Sequence, residues 1–508
     1  MVVELMGFDD TGGERGGVDI VAVLDVSGSM WGEKLEKLKT SMKFLLKKLD
    51  PIDRLSIVTF ESTATRLCPL TGMNKNGQDK IEKLIDELDA DGGTNISSGL
   101  QTALSVLAQR RHRDGRTTAI MLMSDGQDRP STVDVSSVPV YTFGLGRDHD
   151  SQLLQDIASK SDKGTYSIAD VEGSDSASLN IAFSSCLAGL LSVVVQDLKL
   201  TITQKESEIL KVSAGSYDQD RVNESVTISF GNLYNREKRS TTVFLSLPAV
   251  EDRTAMDILK IAFSYTPSGG GRLFRSPPIA ATVTRTRSPV TEDPVEVVNE
   301  KARGNTAAAI EEARKKADAN DLPGARNTMK NAEESLNSLG READELIKAL
   351  KYEVQEFLRL LKDSDTYLKE GRAFALSSEL SHKLQRFAAR GDATQLVALG
   401  IPLVIEFVNQ AVKFDKDPNF KVSSANEDKK RVAQKTAEED RIAAEAKKKR
   451  DEQIQEAIDE IGKKEKKEDF IKNNPLVTQA DTLKEHLDQA IKSLEAIQNL
   501  VVALQKTT

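Results

Sequence analysis

The stretch Val18-Asp19-Ile20-Val21-Ala22-Val23-Leu24 runs directly into Asp25-Val26-Ser27-Gly28-Ser29-Met30. A short, nearly unbroken run of branched apolar residues reads as a strand buried on both faces, as inside parallel sheets. The loop that follows offers one carboxylate and two hydroxyls at alternate positions. Hard divalent cations take oxygen ligands of this kind. The stretch therefore points both to an α/β sheet and to a cation at the carboxyl end of a central strand.

Working outward, further strands are expected over 55–60, 117–123, 138–143 and 164–168, and helices over 34–49, 80–88, 96–111, 151–159 and 176–190. Strands alternating with helices predict a doubly wound, mostly parallel sheet with helices on both faces. In the first helix Leu35, Leu38, Met42, Leu45 and Leu46 share one apolar stripe, and Lys34, Lys37, Lys39, Lys43 and Lys47 read as its solvated face. Open parallel sheets bind ligands outside the carboxyl ends of their strands, where strand order reverses. Gly92-Gly93-Thr94-Asn95 precedes one helix and Ser124-Asp125-Gly126 follows one strand. Both should reach the same end of the sheet as Asp25, their glycines letting the loops turn tightly.

Beyond residue 192 helical spacing stops. Short strands are expected at 193–195, 198–202, 226–230, 242–247, 259–265 and 279–283, with Ser268-Gly269-Gly270-Gly271 as a hairpin loop. An antiparallel β-sandwich is the simplest reading. Residues 289–294 read as a linker, and helical spacing resumes over 307–319, 322–339 and 342–361, the start of an α-helical C-terminal region. Residues 363–425 look less regular, broken by Gly371, Gly391 and Gly400. Residues 427–467 are mostly Lys, Glu, Asp, Arg and Ala, either an exposed helix or a disordered arm. Leu487, Ala490, Leu494, Ile497, Val501 and Leu504 then recur at steps of three and four, a short coiled-coil or helix-packing stripe through which the C-terminal helix would form a homo-oligomer or a docking arm. The expected domains are 1–190, 191–290, 291–425 and 426–508.

With 508 residues the chain exceeds a single core. A net charge of −9 argues against a general nucleic-acid binder. Two cysteines, Cys68 and Cys186, are too few for a disulfide scaffold, a zinc finger or a RING-type zinc site. No run of about 18 apolar residues predicts a membrane span. The first residues show no basic region followed by an apolar core. A reducing, cytoplasmic setting is the expectation.

Three oxygen-bearing loops at strand ends, in this order, resemble the metal-ion-dependent adhesion site of von Willebrand factor A domains, and the likeness covers residues 17–190. It implies a site made of Asp25, Ser27 and Ser29 from the first loop, Thr94 from the second and Asp125 from the third, with all five ligand types present. The implied metal is Mg2+, with Mn2+ or Ca2+ as substitutes. In the family the third-loop aspartate commonly ligates through water, and the threonine directly or through water. Thr142-Phe143-Gly144-Leu145-Gly146 with Asp148-His149-Asp150, Leu190-Leu191-Ser192-Val193, and Gly371-Arg372-Ala373-Phe374 extend the likeness. They are similar to plant-type intracellular proteins that join this domain to a sandwich and a helical domain, as inter-alpha-trypsin-inhibitor heavy chains do in part. Some such relatives carry an upstream RING and act as ubiquitin ligases. This chain starts just before the A domain and lacks those cysteines, so ligase chemistry of its own is not expected.

The ligand mix sets the expected function. Two carboxylates balance a divalent charge, while neutral hydroxyls donate weakly, so the cation stays electrophilic with one face open. An Asp or Glu of a partner protein would complete the shell, and the low dielectric of the contact would strengthen that bond. The expectation is a non-catalytic, magnesium-dependent protein-interaction scaffold. Alternatives are the substrate-recognition part of a ubiquitin-ligase-like assembly without its own RING, or a metal-dependent phosphoester hydrolase. For the latter no base is evident, and no Ser–His–Asp order, P-loop or Gly-x-Gly-x-x-Gly occurs. Trp31 either packs under the metal loop or stands beside it as an aromatic anchor. Asp128 is a surface turn or a neighbour of the metal shell, and Asp89 and Asp91 add negative field or cap a turn. His112, His149, His382 and His486 have no ligand spacing, and His149 is expected to cap the helix after it.

Overall fold

The computed structural model describes residues 1–8, 15–169, 178–249, 253–285, 293–341, 344–390, 396 and 399–465. The apolar run of the opening stretch becomes a central strand. In chain order the first elements are β1 (Val2–Met6), β2 (Val18–Asp25), α1 (Glu33–Lys48), β3 (Arg54–Phe60), β4 (Ala64–Arg66), β5 (Thr71–Gly72), α2 (Lys75–Asp86), α3 (Ile96–Ala108), β6 (Thr117–Ser124), β7 (Val140–Leu145), α4 (Ser151–Lys160), β8 (Tyr166–Ala169) and α5 (Ser178–Leu191). The sheet runs β4-β3-β2-β6-β7-β8, with β5 also on β3. β3, β2, β6, β7 and β8 are parallel, and β4 and β5 pair antiparallel to β3. Every residue of β2 is buried. Ile20, Ala22 and Leu24 join one apolar core, Val21 and Val23 the other, so helices cover both faces as the unbroken apolar run requires.

β9 (Val193–Gln204), β10 (Glu208–Ser213), β11 (Asp218–Val222), β12 (Ser225–Tyr234), β13 (Lys238–Ser246), β14 (Arg253–Pro267), β15 (Phe274–Arg275) and β16 (Ile279–Arg285) follow. They form antiparallel sheets β11-β12-β9-β14-β15, with β16 on β14, and β1-β13-β10. Val226, Ile228 and Phe230 alternate inward from β12 and share a core with Val3, Ile209 and Val243 of the smaller sheet. β1, where no strand was expected, pairs with β13. Its backbone groups are satisfied by a strand more than 200 positions away, a pairing that local pattern cannot reveal.

The remaining helices are α6 (Val295–Asp318), α7 (Leu322–Ser338), α8 (Glu345–Leu360), α9 (Ser364–Thr366), α10 (Arg372–Lys383), α11 (Pro402–Lys416) and α12 (Ala425–Glu465). Asp321 caps α7 by accepting from the Gly324 amide at 2.9 Å, with Pro323 in the first turn. The expected irregularity of 363–425 is corrected: Gly371 ends a wide turn over Tyr367–Gly371 that leads without a break into α10, and α11 follows. Residues 373–382 of α10 are all buried, which erases the polar face that sequence periodicity relies on. Residues 1–432 make one compact unit, and the chain from Ala433 belongs to a second. The coiled-coil stripe from Leu487 to Leu504 lies outside the described residues.

A fully buried ion cluster joins α8 to α10. Glu353 Oε2 accepts from His382 Nε2 at 2.7 Å, and Arg390 Nη1 lies 2.8 Å from Oε1. Burial pushes the Glu353 carboxyl up, but the Arg390 guanidinium and His382 outweigh it and hold it at about 2. A depressed folded value contributes stability above the unfolded carboxyl value of about 4.3 and loses it as pH falls toward 2. Glu353→Gln should therefore lower the urea midpoint most at pH 7, with the difference from wild type shrinking between pH 4.5 and pH 2.5. A difference that stayed constant across this range would make the residue a packing element only.

Candidate metal centre

β2 lies between β3 and β6, so the chain leaves it on one side and returns on the other. A crevice forms at the carboxyl end of such a reversal. Asp25 ends β2, and Asp125 follows β6 there. Backbone bonds draw the loops together: Gly28 N donates to Gly92 O at 3.1 Å and Asp91 N to Val26 O at 2.9 Å. Two glycines have a steric reason to be there. Gly92 sits at φ +80°, and a Cβ on Gly126 would come within 2.9 Å of Thr94 Oγ1.

Asp25, Ser27 and Asp125 are buried, Ser29 is exposed and Thr94 is half-buried. Asp25 Oδ1 accepts from the Ser27 amide at 2.9 Å, and Oδ2 accepts from the Ser124 hydroxyl at 2.6 Å. Ser27 Oγ and Ser29 Oγ are 3.1 Å apart, and Ser29 Oγ donates to Asp125 Oδ1 at 2.7 Å. Burial raises the Asp25 carboxyl above the usual carboxylate range, against the Ser124 and Ser27 hydrogen bonds, and the Asp125 charge adds to the rise. The structure thus brings Asp25, Ser27, Ser29 and Asp125 into one hydrogen-bonded cluster and lays Thr94 against the Asp125 loop.

This donor set is all oxygen. Neighbouring ligands of an octahedral ion with bonds near 2.1 Å lie about 3 Å apart, close to the spacings of Ser27, Ser29 and Asp125. No three His, Cys, Asp or Glu side chains form a cluster among the described residues, so the centre stands on two carboxylates and hydroxyls. A buried Asp25 carboxylate with two donors is also the kind of group that a cation would relieve.

Two contributors escaped the sequence reading. Ser124, fully buried, orients Asp25 and accepts from the Gly126 amide at 3.2 Å. Lys34, read as part of the solvated face, instead places its ammonium 2.5 Å from Asp125 Oδ2. Lys37, Lys39 and Lys43 do pair on the surface, with Glu33, Glu36 and Asp86. For Ser124 the signal was its place as the last residue of an apolar strand. For Lys34 it was the start of α1 just after Gly32, at φ +86°. Asp128 accepts from the Ile96 amide at 2.7 Å and so fixes the start of α3. Asp89 and Asp91 accept from the next amide and make turns. His149 is corrected: Asp150 caps α4, while buried His149 bonds Gly146 O and the Tyr166 hydroxyl. Burial lowers the His149 imidazole below its usual range and leaves it neutral. Trp31 is 76% exposed, so it does not pack beneath the loop.

Residues 19–179 match the family model described as von Willebrand factor type A domain. The chain carries a von Willebrand factor type A domain. Residues 344–413 match a second model, VWA / Hh protein intein-like. The chain is similar to the E3 ubiquitin-protein ligase WAV3 of Arabidopsis thaliana, at 32% identity over 49% of this chain and 33% of that protein. It is also similar to inter-alpha-trypsin inhibitor heavy chain H2 of Homo sapiens, at 26% identity over 28% of this chain and 17% of that one. The chain thus spans a third or less of the length of these relatives. A solved von Willebrand factor type A protein from Catenulispora acidiphila shares the fold, with TM-score 0.56 and 17% identity over 75% of this chain and 91% of that one. No helix among the described residues is long and apolar enough to cross a membrane.

Proposed function

We propose that the A domain is a non-catalytic, magnesium-dependent module that captures an acidic side chain of a partner protein. Asp25, Ser27, Ser29, Thr94 and Asp125 would hold the ion. The observation that carries the reading is the hydroxyl-rich oxygen cluster at the switch point of the sheet. A bound ion supplies an electrophilic position for a carboxylate. Asp25 and Asp125 fix the charge that holds it, Ser124 locks Asp25 in place, and the exposed Trp31 offers an apolar surface beside the loop. Catalysis is disfavoured because the buried His149 has both ring nitrogens engaged, by Gly146 O and the Tyr166 hydroxyl, and offers neither to a substrate. The scaffold would act in the cytoplasm.

Likeness to WAV3 supports a second, compatible reading: the chain recognises substrates for a ubiquitin-ligase-like assembly. The test is partner recovery on the immobilised chain in Mg2+, in EDTA and with Asp125→Ala. Recovery should fall at least about tenfold in EDTA and in the variant, with a ubiquitin ligase among the proteins lost under the second reading. Recovery indifferent to EDTA and to the variant overturns the proposal.

A further inference from the structure

Lys34 sits in the first turn of α1 with its side chain 21% exposed, and its ammonium is 2.5 Å from Asp125 Oδ2, on a carboxylate with no exposed surface. The other Asp125 oxygen takes the Ser29 hydroxyl. Neither Asp25 oxygen touches a cation: one takes an amide and the other the Ser124 hydroxyl. The cluster of two carboxylates and one ammonium therefore carries one net negative charge. A divalent ion added beside a retained Lys34 turns that into one net positive charge. One further carboxylate brings it to neutrality. Charges this close and this poorly solvated interact strongly, and an uncompensated one is costly.

We infer that Lys34 is a positioning residue that makes ion and acidic ligand bind together: its ammonium weakens the metal alone and favours the metal with a carboxylate. This rests on the proposed metal role of Asp125. The placement is specific to Lys34, because Lys37, Lys39 and Lys43 each pair with an acid outside the cluster. The consequence is a site that loads its ion mainly when a partner acid arrives.

The experiment titrates Mn2+ into the whole chain by its paramagnetic signal, in chloride and in acetate at equal ionic strength, for wild type, Lys34→Met and Lys34→Arg. Lys34→Met should bind Mn2+ about tenfold or more tightly in chloride, and acetate should tighten wild type more than this variant. Lys34→Arg keeps the charge and should follow wild type, which separates charge from packing. Equal or weaker Mn2+ binding by Lys34→Met, with wild type binding normally, overturns the role of Lys34 and leaves the metal site standing. Absence of Mn2+ binding in both wild type and Lys34→Met overturns the metal site itself, and the inference with it.

Discussion

Asp428→Ala is expected to destabilise the 1–432 unit by about 3–5 kcal/mol, the cost of leaving one member of a buried ion pair alone. The orphan is Lys48, at the far end of α1. Its ammonium and the Asp428 carboxylate are both fully buried and 2.5 Å apart. Gln410 Oε1 and Ser423 O accept its other hydrogens, at 2.8 and 3.1 Å. The Phe407 ring lies 4.3 Å from the ammonium. Burial pulls the Lys48 ammonium below the usual lysine range, and the Asp428 carboxylate works the other way. Without Asp428 the burial cost loses its largest opposing contribution, and the Gln410 and Ser423 oxygens are neutral acceptors. The lysine then deprotonates, or α11 and the start of α12 separate from α1. Hydrogen exchange should show lost protection in Pro402–Lys416, and the first urea transition should move to lower concentration. Lys48→Met combined with Asp428→Leu should recover only part of the loss: the apolar pair needs no desolvation of charge, but Gln410 Nε2 and Ser423 Oγ lose Asp428 Oδ1 as their acceptor. A single variant as stable as wild type would mean that water reaches Lys48.

The parallel sheet was legible because its strands are buried on both faces, and an unbroken run such as Val18–Asp25 has few other readings. The candidate loop was legible because Asp25, Ser27 and Ser29 lie within one turn, and Thr94 and Asp125 each stand at the edge of a regular element. Less was visible wherever a partner distant in sequence decides the environment. Lys34 and Lys48 lie on one helix, about 21 Å apart at 1.5 Å per residue, and composition marks both as surface residues. One meets Asp125 and the other Asp428, contacts that only the assembled fold defines. β10 and β11, rich in Lys, Glu, Asp and Gln, show too little alternation to be found, and they form because β13 and β12 offer edges to pair with. In α10, burial all round hid the amphipathic stripe, and Ser377 bonds Tyr166 O where a sequence reader expects a polar surface.

Asp25→Asn should reverse the order of thermal stability between EDTA and magnesium. In EDTA the wild-type chain buries a carboxylate whose only donors are the Ser27 amide and the Ser124 hydroxyl. Burial already disfavours its charge, and Asp125 adds repulsion. Asparagine keeps the shape and still accepts from Ser27. The Ser124 hydroxyl can turn to accept from the new amide, since a serine oxygen both donates and accepts. The variant therefore sheds a buried charge without stranding a partner, a gain of about 1 kcal/mol of the kind found when function-bearing strain is removed. In magnesium the order inverts. Wild type gains RT ln(1 + [Mg2+]/Kd), about 2.7 kcal/mol at a hundredfold excess over Kd. The variant, lacking half of the site's negative charge, gains nothing. Differential scanning calorimetry in EDTA and in Mg2+, each with acetate to stand in for the partner carboxylate, reads both arms at once. A wild-type midpoint that ignores Mg2+, together with a variant less stable in EDTA, would make Asp25 a structural cap on β2 and remove the metal reading of the loop that follows it.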